Sequence, residues 1–226
     1  MQKSMISLIA ILISFASAEG LTQEALTTVK QRFSYAVGVQ VGQNISAQAA
    51  DIDNDALLLG ISDILKQQGL KLTVQEMQAA VTNYQNQEME RLMALGKKNL
   101  EEGTKFLAEN KTKKEITELA SGLQYQVLTV GTGNQPKVTD TVVVHYRGSL
   151  INGTEFDSSY SRGEPLPVQL DNVIQGWKEV VPLMKVGSKW KVFIPPALAY
   201  GDQAAGPIIG PNSTLVFDIE LLSITQ

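Results

Sequence analysis

Cysteine is absent from this sequence of 226 residues, and histidine occurs once, as His145. The first absence excludes disulfide bonds, thiol nucleophiles and cysteine-ligated metals. The second excludes a zinc site built from several histidines. We therefore expect no chemistry that depends on a thiolate or on a cluster of histidines.

Blocks of basic residues are also missing. The chain has 19 lysines and arginines against 23 aspartates and glutamates, so its formal net charge is −4 at pH 7. Proteins that bind nucleic acids usually carry a basic patch or stripe, and we expect no nucleic-acid partner here. With 43% hydrophobic and 19% charged residues, the composition is typical of a globular protein with an apolar core.

Long hydrophobic runs are limited to one segment, residues 5–15. It is shorter than the ~20 residues that a membrane-spanning helix needs. A lysine precedes the run, and small residues at 16–18 follow it, which is the pattern of a signal peptide over residues 1–18. The alternative is an ordinary buried helix. The signal peptide predicts a mature chain that is exported and has no membrane span.

Proline is unevenly distributed, because all eight prolines lie between Pro136 and Pro211. Proline breaks helix interiors but is tolerated in turns and at sheet edges. The split predicts a helical N-terminal part, residues 19–115, and a β-rich C-terminal part, residues 116–226.

Two or three short helices are predicted over residues 22–68, where apolar residues recur at spacings of three and four. Gly69 fits the stop of the last of them. Helices this small seldom form a good core alone, and oligomerisation often supplies one below about 70 residues. We expect residues 19–72 to form a homodimerisation region, with the start of the next helix. The alternative is that these helices fold back on the C-terminal part.

Residues 73–115 are predicted to form one long connecting helix. Thr73 and Glu76 form a capping box at its start. Its first half has an apolar stripe, and its second half is mostly charged. We expect a helix that is packed at its start and solvent-exposed as a spacer afterwards, with bends at Gly96 and Gly103.

The period of the apolar residues changes to two in the C-terminal part, which predicts strands. In DTVVVHYRGSL, the residues Val142, Val144 and Tyr146 share one face, and His145 lies on the other. The stretches LQYQVLTVG, SKWKVFIP and STLVFDIELLSI alternate in the same way, and IQGWKEVVPLM fits one short helix. The fold class expected is α+β, an antiparallel sheet wrapped around a short helix.

An acid–base hydrolase that uses His145 and Asp157 is one hypothesis for the site. A general base must lie within about 3 Å of the proton it takes. The strand alternation turns His145 away from Tyr146 and from the face on which a pocket would form. We therefore do not expect activity to depend on His145.

Three blocks, VHYRGSLINGTEFDSS, VIQGWKEVVPLMKVGSKWKVFIPPALAYG and GPNSTLVFDIELL, resemble the signature blocks of FKBP-type peptidyl-prolyl cis-trans isomerases, in the family's order. The complete layout is similar to the Mip and FkpA group of exported isomerases from Gram-negative bacteria, which are V-shaped homodimers. The resemblance implies catalysis without a metal or cofactor on proline-containing unfolded polypeptides. It also implies inhibition by macrolides such as rapamycin, and a periplasmic location, with the outer-membrane surface or secretion as alternatives.

The resemblance also implies roles for individual residues. The implied catalytic residues are Tyr146, Asp157 and Tyr200, and the implied substrate-binding residues are Phe156, Arg162, Val173, Ile174, Trp177, Ile209 and Phe217. The aromatic rings would form the pocket walls, with Trp177 as the floor, and Arg162 would hold the Asp157 carboxylate. Taken singly, each aromatic residue is better explained as ordinary core, and Asp157 could be a turn-capping acid. The resemblance favours the pocket, because all these residues fall at the matching places together.

Two positions depart from the pattern of many family members. Leu166 stands where many have an aromatic residue, and Ala205 stands where some have a histidine. Both departures are expected to reshape the rim of the pocket and to leave its centre intact. A second hypothesis for the whole protein is a holdase chaperone or binding module with little isomerase activity.

Overall fold

The structure is a computed structural model that describes residues 26–48 and 52–225. The chain divides into two compact units, with the boundary between Gly69 and Leu70. The predicted signal peptide, and the start of the first predicted helix at Thr22, lie outside the described residues. Among the described residues, the first unit contains two helices, and the second contains a long helix together with the β-rich part.

The helices of the first unit are α1 (Val29–Gln48) and α2 (Asn54–Leu65). Helix α2 begins at Asp53, whose side chain accepts a hydrogen bond of 2.9 Å from the backbone N–H of Ala56. The helix ends at Leu65, and Gln67 then takes the left-handed conformation with φ 55°. The prediction that Gly69 stops this helix is therefore wrong, because the chain leaves the helix before reaching it.

The long helix α3 (Val74–Asn110) runs for 37 residues. The predicted capping box at its start is confirmed. The Thr73 hydroxyl oxygen accepts a hydrogen bond of 3.2 Å from the Glu76 backbone, and the Glu76 carboxylate accepts one of 2.7 Å from the Thr73 backbone. These bonds satisfy backbone groups that the first turn of a helix leaves unpaired.

The second half of α3 packs against the C-terminal part, so the prediction of a solvent-exposed spacer is wrong. Gly96 and Gly103 are buried within the continuous helix. A Cβ atom at residue 103 would overlap the hydroxyl of Thr214. The Phe106 ring lies against Phe193, with ring centroids 5.7 Å apart. The two glycines therefore allow close approach, and the charged residues occupy the sides of the helix that remain exposed.

The rest of the described second unit contains seven strands, two short α-helices and three single turns of 3₁₀ helix. The strands and α-helices are β1 (Thr117–Glu118), β2 (Gln124–Thr129), β3 (Thr141–Leu150), β4 (Glu155–Ser158), α4 (Ser159–Arg162), β5 (Leu166–Gln169), α5 (Gln175–Val180), β6 (Lys189–Ile194) and β7 (Leu215–Thr225). The strands form one antiparallel sheet in the order β1-β2-β6-β7-β3-β4, and β5 also pairs with β3. The predicted α+β class is confirmed.

The predicted alternation is confirmed on β3, where Val142, Val144 and Tyr146 are buried. These side chains belong to one buried cluster together with Trp177 and Val180 of α5. The core therefore lies between the sheet and α5, and the residues predicted for the site lie at its edge.

The predicted alternation is wrong on β2. Gln124 is fully buried, whereas Val127 is 42% exposed. The Gln124 amide donates a hydrogen bond of 2.9 Å to the Leu107 carbonyl of α3 and accepts one of 3.0 Å from Asn110. Because α3 covers the second face of the sheet here, a polar residue is buried together with its hydrogen-bond partners.

Candidate active site

The predicted turn at Asn152-Gly153 connects β3 to β4 and brings the first site residues together. It closes through a hydrogen bond of 2.9 Å from the Gly153 N–H to the Leu150 carbonyl. The two strands then pair in antiparallel register. This hairpin places Tyr146 beside Phe156 and Asp157, although about ten residues separate them in the sequence.

The Asp157 carboxylate accepts hydrogen bonds from two side chains. One comes from the Tyr146 hydroxyl and the other from the Arg162 guanidinium. Arg162 also donates a hydrogen bond of 2.8 Å to the Tyr146 hydroxyl oxygen. Helix α4 begins at the N-cap Ser158, directly after Asp157, and ends at Arg162. This single turn of helix therefore places the cation next to the acid.

The pKa values of the pair are displaced in opposite directions. Burial raises the pKa of Asp157, but the hydrogen bonds from Tyr146 and Arg162 outweigh burial, and the pKa lies below its ordinary value. Burial and the hydrogen bond to Asp157 raise the pKa of the Tyr146 phenol above its ordinary value. Near neutral pH the pair is therefore a carboxylate and a neutral phenol, which suits hydrogen bonding better than proton transfer.

Aromatic rings form the floor and wall beside this pair. The Trp177 ring lies 5.5 Å from that of Tyr146 and 5.4 Å from that of Phe217, close to perpendicular in both cases. Phe156 meets Phe217 in the same edge-to-face manner at 5.6 Å. The buried indole N–H of Trp177 has no hydrogen-bond acceptor within the described part of the chain. The interlocked rings make a rigid, largely apolar surface.

The rings and the Asp157 pair surround a cavity of about 660 Å³. This volume is within the range of ~300–1,000 Å³ that is common for small-molecule sites. Most of the predicted site residues line it, namely Tyr146, Phe156, Asp157, Val173, Ile174, Trp177, Tyr200 and Phe217. The aromatic side chains that could each have been simple core therefore meet at one surface.

Two predicted site residues are not part of the lining. Arg162 reaches the lining residues through its hydrogen bonds to Asp157 and Tyr146, and its guanidinium lies 5.5 Å from the Tyr146 ring centroid. Ile209 is 6% exposed and belongs to the buried core. Ile209 shares this core with Tyr146 and Trp177, but it is not among the residues that line the cavity.

Three further residues complete the lining: Leu166, Val168 and Asn172. The sequence identified Leu166 only as a departure from the family pattern, and it did not predict Val168 or Asn172 as site residues. Leu166 and Val168 share one face of β5, so the period of two could have identified both. Asn172 ends a short 3₁₀ turn after that strand, and no local pattern marks it.

His145 takes no part in the cavity lining, as the strand alternation predicted. Its ring stacks on Tyr160, with centroids 4.6 Å apart, and its Nδ1 lies 2.9 Å from the Ser159 hydroxyl. Asp157 bonds instead to Tyr146 and Arg162. The hydrolase hypothesis, which needs His145 and Asp157 at one reaction centre, is therefore wrong.

Two protein-family models match the chain. Residues 132–222 match the FKBP-type peptidyl-prolyl cis-trans isomerase, and residues 30–127 match the domain amino terminal to that isomerase. Within residues 26–48 and 52–225, no helix combines the length and the apolar character needed to cross a membrane.

Named relatives are similar over most of the chain. The outer membrane protein MIP of Legionella longbeachae is 42% identical, covering 89% of this chain and 88% of its own length. The peptidyl-prolyl cis-trans isomerase Mip of Coxiella burnetii is 38% identical, covering 92% and 93%. The crystal structure of FkpA from Escherichia coli has a TM-score of 0.62 at 37% identity, covering 88% of this chain and 98% of that one. The chain therefore belongs to the FKBP-type peptidyl-prolyl cis-trans isomerases.

Proposed function

We propose that this isomerase accelerates rotation about X–Pro bonds in exported polypeptides by binding the twisted amide non-covalently in the aromatic cavity. The barrier to this rotation is ~18–20 kcal/mol, because rotation breaks the resonance of the amide. The twisted amide has lost much of its charge separation, so an apolar cavity favours it over the planar amide. Catalysis of this kind forms no bond between enzyme and substrate.

Each polar group of the cavity has one role in this proposal. The Trp177 floor holds the proline ring, and the Asp157 carboxylate, fixed by Tyr146 and Arg162, accepts a hydrogen bond beside the twisting amide. The backbone N–H of Ile174 binds one substrate carbonyl. Tyr200, which is 43% exposed at the cavity rim, binds another through its hydroxyl.

The observation that carries the proposal is the fixed carboxylate at the edge of an otherwise aromatic cavity. The test is a protease-coupled assay on X-Pro peptides. We expect Asp157→Ala to lower kcat/KM by ~10-fold or more, because hydrogen bonds to charged groups contribute ~1.5–3 kcal/mol. Tyr200→Phe removes a neutral hydrogen bond, and we expect a loss of about fivefold.

Matched controls are available on the exposed helices of the first unit. Asp55→Ala on α2 and Tyr35→Phe on α1 make the same chemical changes at residues that do not line the cavity. Both should leave kcat/KM unchanged. Full activity in Asp157→Ala and in Tyr200→Phe, together with insensitivity to rapamycin, would show that the assigned site is wrong.

We further propose that residues 19–95 hold two chains together as a homodimer. Several large apolar side chains of α1 and α2 are exposed in the single chain, among them Val29 (86%), Phe33 (67%), Leu58 (62%) and Leu65 (78%). Burying an apolar side chain of this size contributes ~1.5–3 kcal/mol. A second copy of the same helices can bury these residues, and the start of α3 also carries exposed apolar side chains.

Sedimentation of the mature chain tests the dimer. Phe33→Glu places a charge on the apolar face of α1 and should produce monomers, whereas Ser46→Glu, on the far side of α1 by the helical period, should not. A chain without residues 19–95 should also be monomeric. A dimer that persists in that deletion would rule out the proposed interface.

Export, chaperone activity and macrolide binding complete the proposal. Apolar side chains of α1 and α2 that stay exposed in the dimer are suited to holding non-native chains while the two cavities isomerise their prolines. Suppression of aggregation by the mature chain tests this role, and it should weaken when Phe33→Glu separates the dimer. Recovery of a chain that begins at Glu19 from a periplasmic extract tests export. Quenching of tryptophan fluorescence by rapamycin tests the inhibitor, since Trp177 is the cavity floor.

A further inference from the structure

We propose that Asn99, on the long helix α3, is a positioning residue for the rim of the isomerase cavity. The inference rests on the proposed function, because it takes Tyr200 at the rim to bind substrate. Asn99 is half-buried, and it contacts the loop that follows Tyr200. The contact joins residues that are 112 positions apart in the sequence.

The loop, residues 201–214, connects Tyr200 to β7. Its base is closed by a hydrogen bond of 2.7 Å from the Asn212 N–H to the Gly201 carbonyl. Its tip is closed by one of 2.8 Å from the Ala205 N–H to the Ile209 carbonyl. Tyr200 directly precedes Gly201, so its position depends on how the base of the loop is held.

Asn99 holds this base from the helix. Its side-chain Nδ2 donates a hydrogen bond of 2.8 Å to the Pro211 carbonyl and lies 3.4 Å from the Ser213 hydroxyl. That hydroxyl donates a hydrogen bond of 2.8 Å to the Gly210 carbonyl. One amide group thus reaches both neighbours of Asn212, the residue that is bonded to Gly201.

The backbone conformation of Asn212 depends partly on these contacts. Its φ of 55° lies in the left-handed region, which is uncommon for residues other than glycine, although asparagine adopts it more readily than most. Such a conformation persists when the surrounding contacts hold it in place. Loss of the Asn99 hydrogen bond would free the Pro211 peptide, and the hydrogen bond from Asn212 to Gly201 would loosen with it.

Close packing around Asn99 makes its hydrogen bond difficult to replace. A Cβ atom at residue 210 would stand 2.8 Å from Leu95 Cδ2 and 3.1 Å from Asn99 Nδ2, and one at residue 96 would stand 3.1 Å from the Pro211 Cβ. The helix and the loop therefore approach as closely as their side chains allow. A donor or acceptor left without its partner in such a place costs more than the bond itself contributes.

The experiment replaces the donor without changing its shape. In Asn99→Asp, a carboxylate faces the Pro211 carbonyl in place of the amide, and Asn83→Asp makes the same change at an exposed position of α3. Protease-coupled assays use peptides that differ only in the residue before proline. A chain that is merely less stable loses the same fraction of kcat/KM with every peptide, whereas a displaced rim changes the ratio between peptides.

We expect Asn99→Asp to lower kcat/KM by about threefold to tenfold, since a lost hydrogen bond costs ~1 kcal/mol or somewhat more. The ratio of kcat/KM between Leu-Pro and Ala-Pro peptides should change at least about twofold. Asn83→Asp should leave both quantities at the wild-type values. Asn99→Ala, which removes the amide without adding charge, should reproduce the change in ratio if the Asp variant folds poorly.

Amide resonances of Gly201 and Asn212 supply a measurement that does not depend on activity. Both should shift in Asn99→Ala and remain in place in Asn83→Asp. A wild-type peptide ratio in both Asn99 variants, or an unmoved Gly201 resonance, overturns the inference. If Tyr200→Phe proves fully active while the ratio and the resonances still change, Asn99 positions the rim and the proposed role of Tyr200 alone fails.

Discussion

The phenol of Tyr146 donates a hydrogen bond to the carboxylate of Asp157 across the β3–β4 hairpin. Tyr146 is only 6% exposed, whereas the Asp157 side chain is 43% exposed. The pair therefore connects the buried aromatic wall to the open edge of the cavity. A carboxylate held in this way keeps its direction without being sealed from the substrate.

A double-mutant cycle on this pair should reveal strong coupling. Asp157→Asn keeps the shape and removes the charge, and we expect kcat/KM to fall about tenfold, because charge-assisted hydrogen bonds are roughly twice as strong as neutral ones. Tyr146→Phe removes the donor. We expect the double variant to lose less than the two single losses combined, since one change weakens and the other removes the same hydrogen bond. Asp218→Asn, an acid on the outer face of the sheet that pairs with Lys191, is the control. Independent losses would show that the bond does not position the carboxylate.

The pair also predicts how stability depends on pH. The pKa of Asp157 lies below its ordinary value in the folded chain. A group of this kind stabilises the fold above its unfolded pKa of ~3.9, and the contribution is lost as the pH falls through its folded pKa. The stability advantage of wild type over Asp157→Asn should therefore be constant from about pH 5 to 8 and shrink below about pH 4. The advantage should be modest, because the carboxylate is partly screened by solvent.

Urea unfolding followed by tryptophan fluorescence measures this advantage selectively. Both tryptophans of the chain, Trp177 and Trp190, lie in the second unit. Tyr146 sets the limit at alkaline pH, because its pKa is raised in the folded chain. Its contribution to the stability of the fold is complete below the ordinary phenol pKa of ~10 and is lost as the pH rises through the folded pKa. A wild-type advantage that grows towards acid pH would contradict the proposed state of the pair.

The cavity is more predictable from the sequence than the helix that supports it. Tyr146 and Phe217 lie on strands whose period of two can be read within a few residues, and the blocks around Asp157 and Trp177 resemble a family as whole stretches. Patterns of this kind report which face of an element is buried. They were sufficient to bring together the aromatic floor and the carboxylate.

Contacts between distant segments carry no such local pattern. Gln124 is buried against α3, which supplies two of its hydrogen-bond partners, and Gly103 is close to Thr214 although 111 positions separate them. By composition alone, the second half of α3 resembles a solvent-exposed helix. Most of its residues are exposed, and only a narrow face contacts the rest of the domain. For the same reason, the role we infer for Asn99 could not be predicted from the sequence.

His145→Ala should retain most of the isomerase activity. The ring stacks on Tyr160 and meets the Ser159 hydroxyl outside the cavity, so its loss should reduce stability by ~0.5–1.5 kcal/mol. We expect kcat/KM to stay within about threefold of wild type, because Ser159 also accepts a hydrogen bond of 2.8 Å from the Tyr146 backbone. Ser159→Ala, which breaks that link directly, should have the larger effect on activity. A loss of kcat/KM in His145→Ala as large as that in Asp157→Ala would show that His145 takes part in catalysis.

Gly103→Ala tests whether α3 is an integral part of the catalytic domain. Alanine in place of glycine stabilises an exposed helix by ~1 kcal/mol, but the added methyl group would overlap the Thr214 hydroxyl, and overpacking costs ~1–3 kcal/mol. We expect the cost of overpacking to exceed the gain in helix propensity. Gly103→Ala should therefore lower the urea midpoint measured by tryptophan fluorescence. Thr214→Ala should be nearly neutral, because its buried hydroxyl has no hydrogen-bond partner within the described residues. The double variant has room for the methyl group and should regain wild-type stability or exceed it. A solvated spacer at Gly103 would give the opposite result, since Gly103→Ala would then stabilise the chain whatever occupies residue 214.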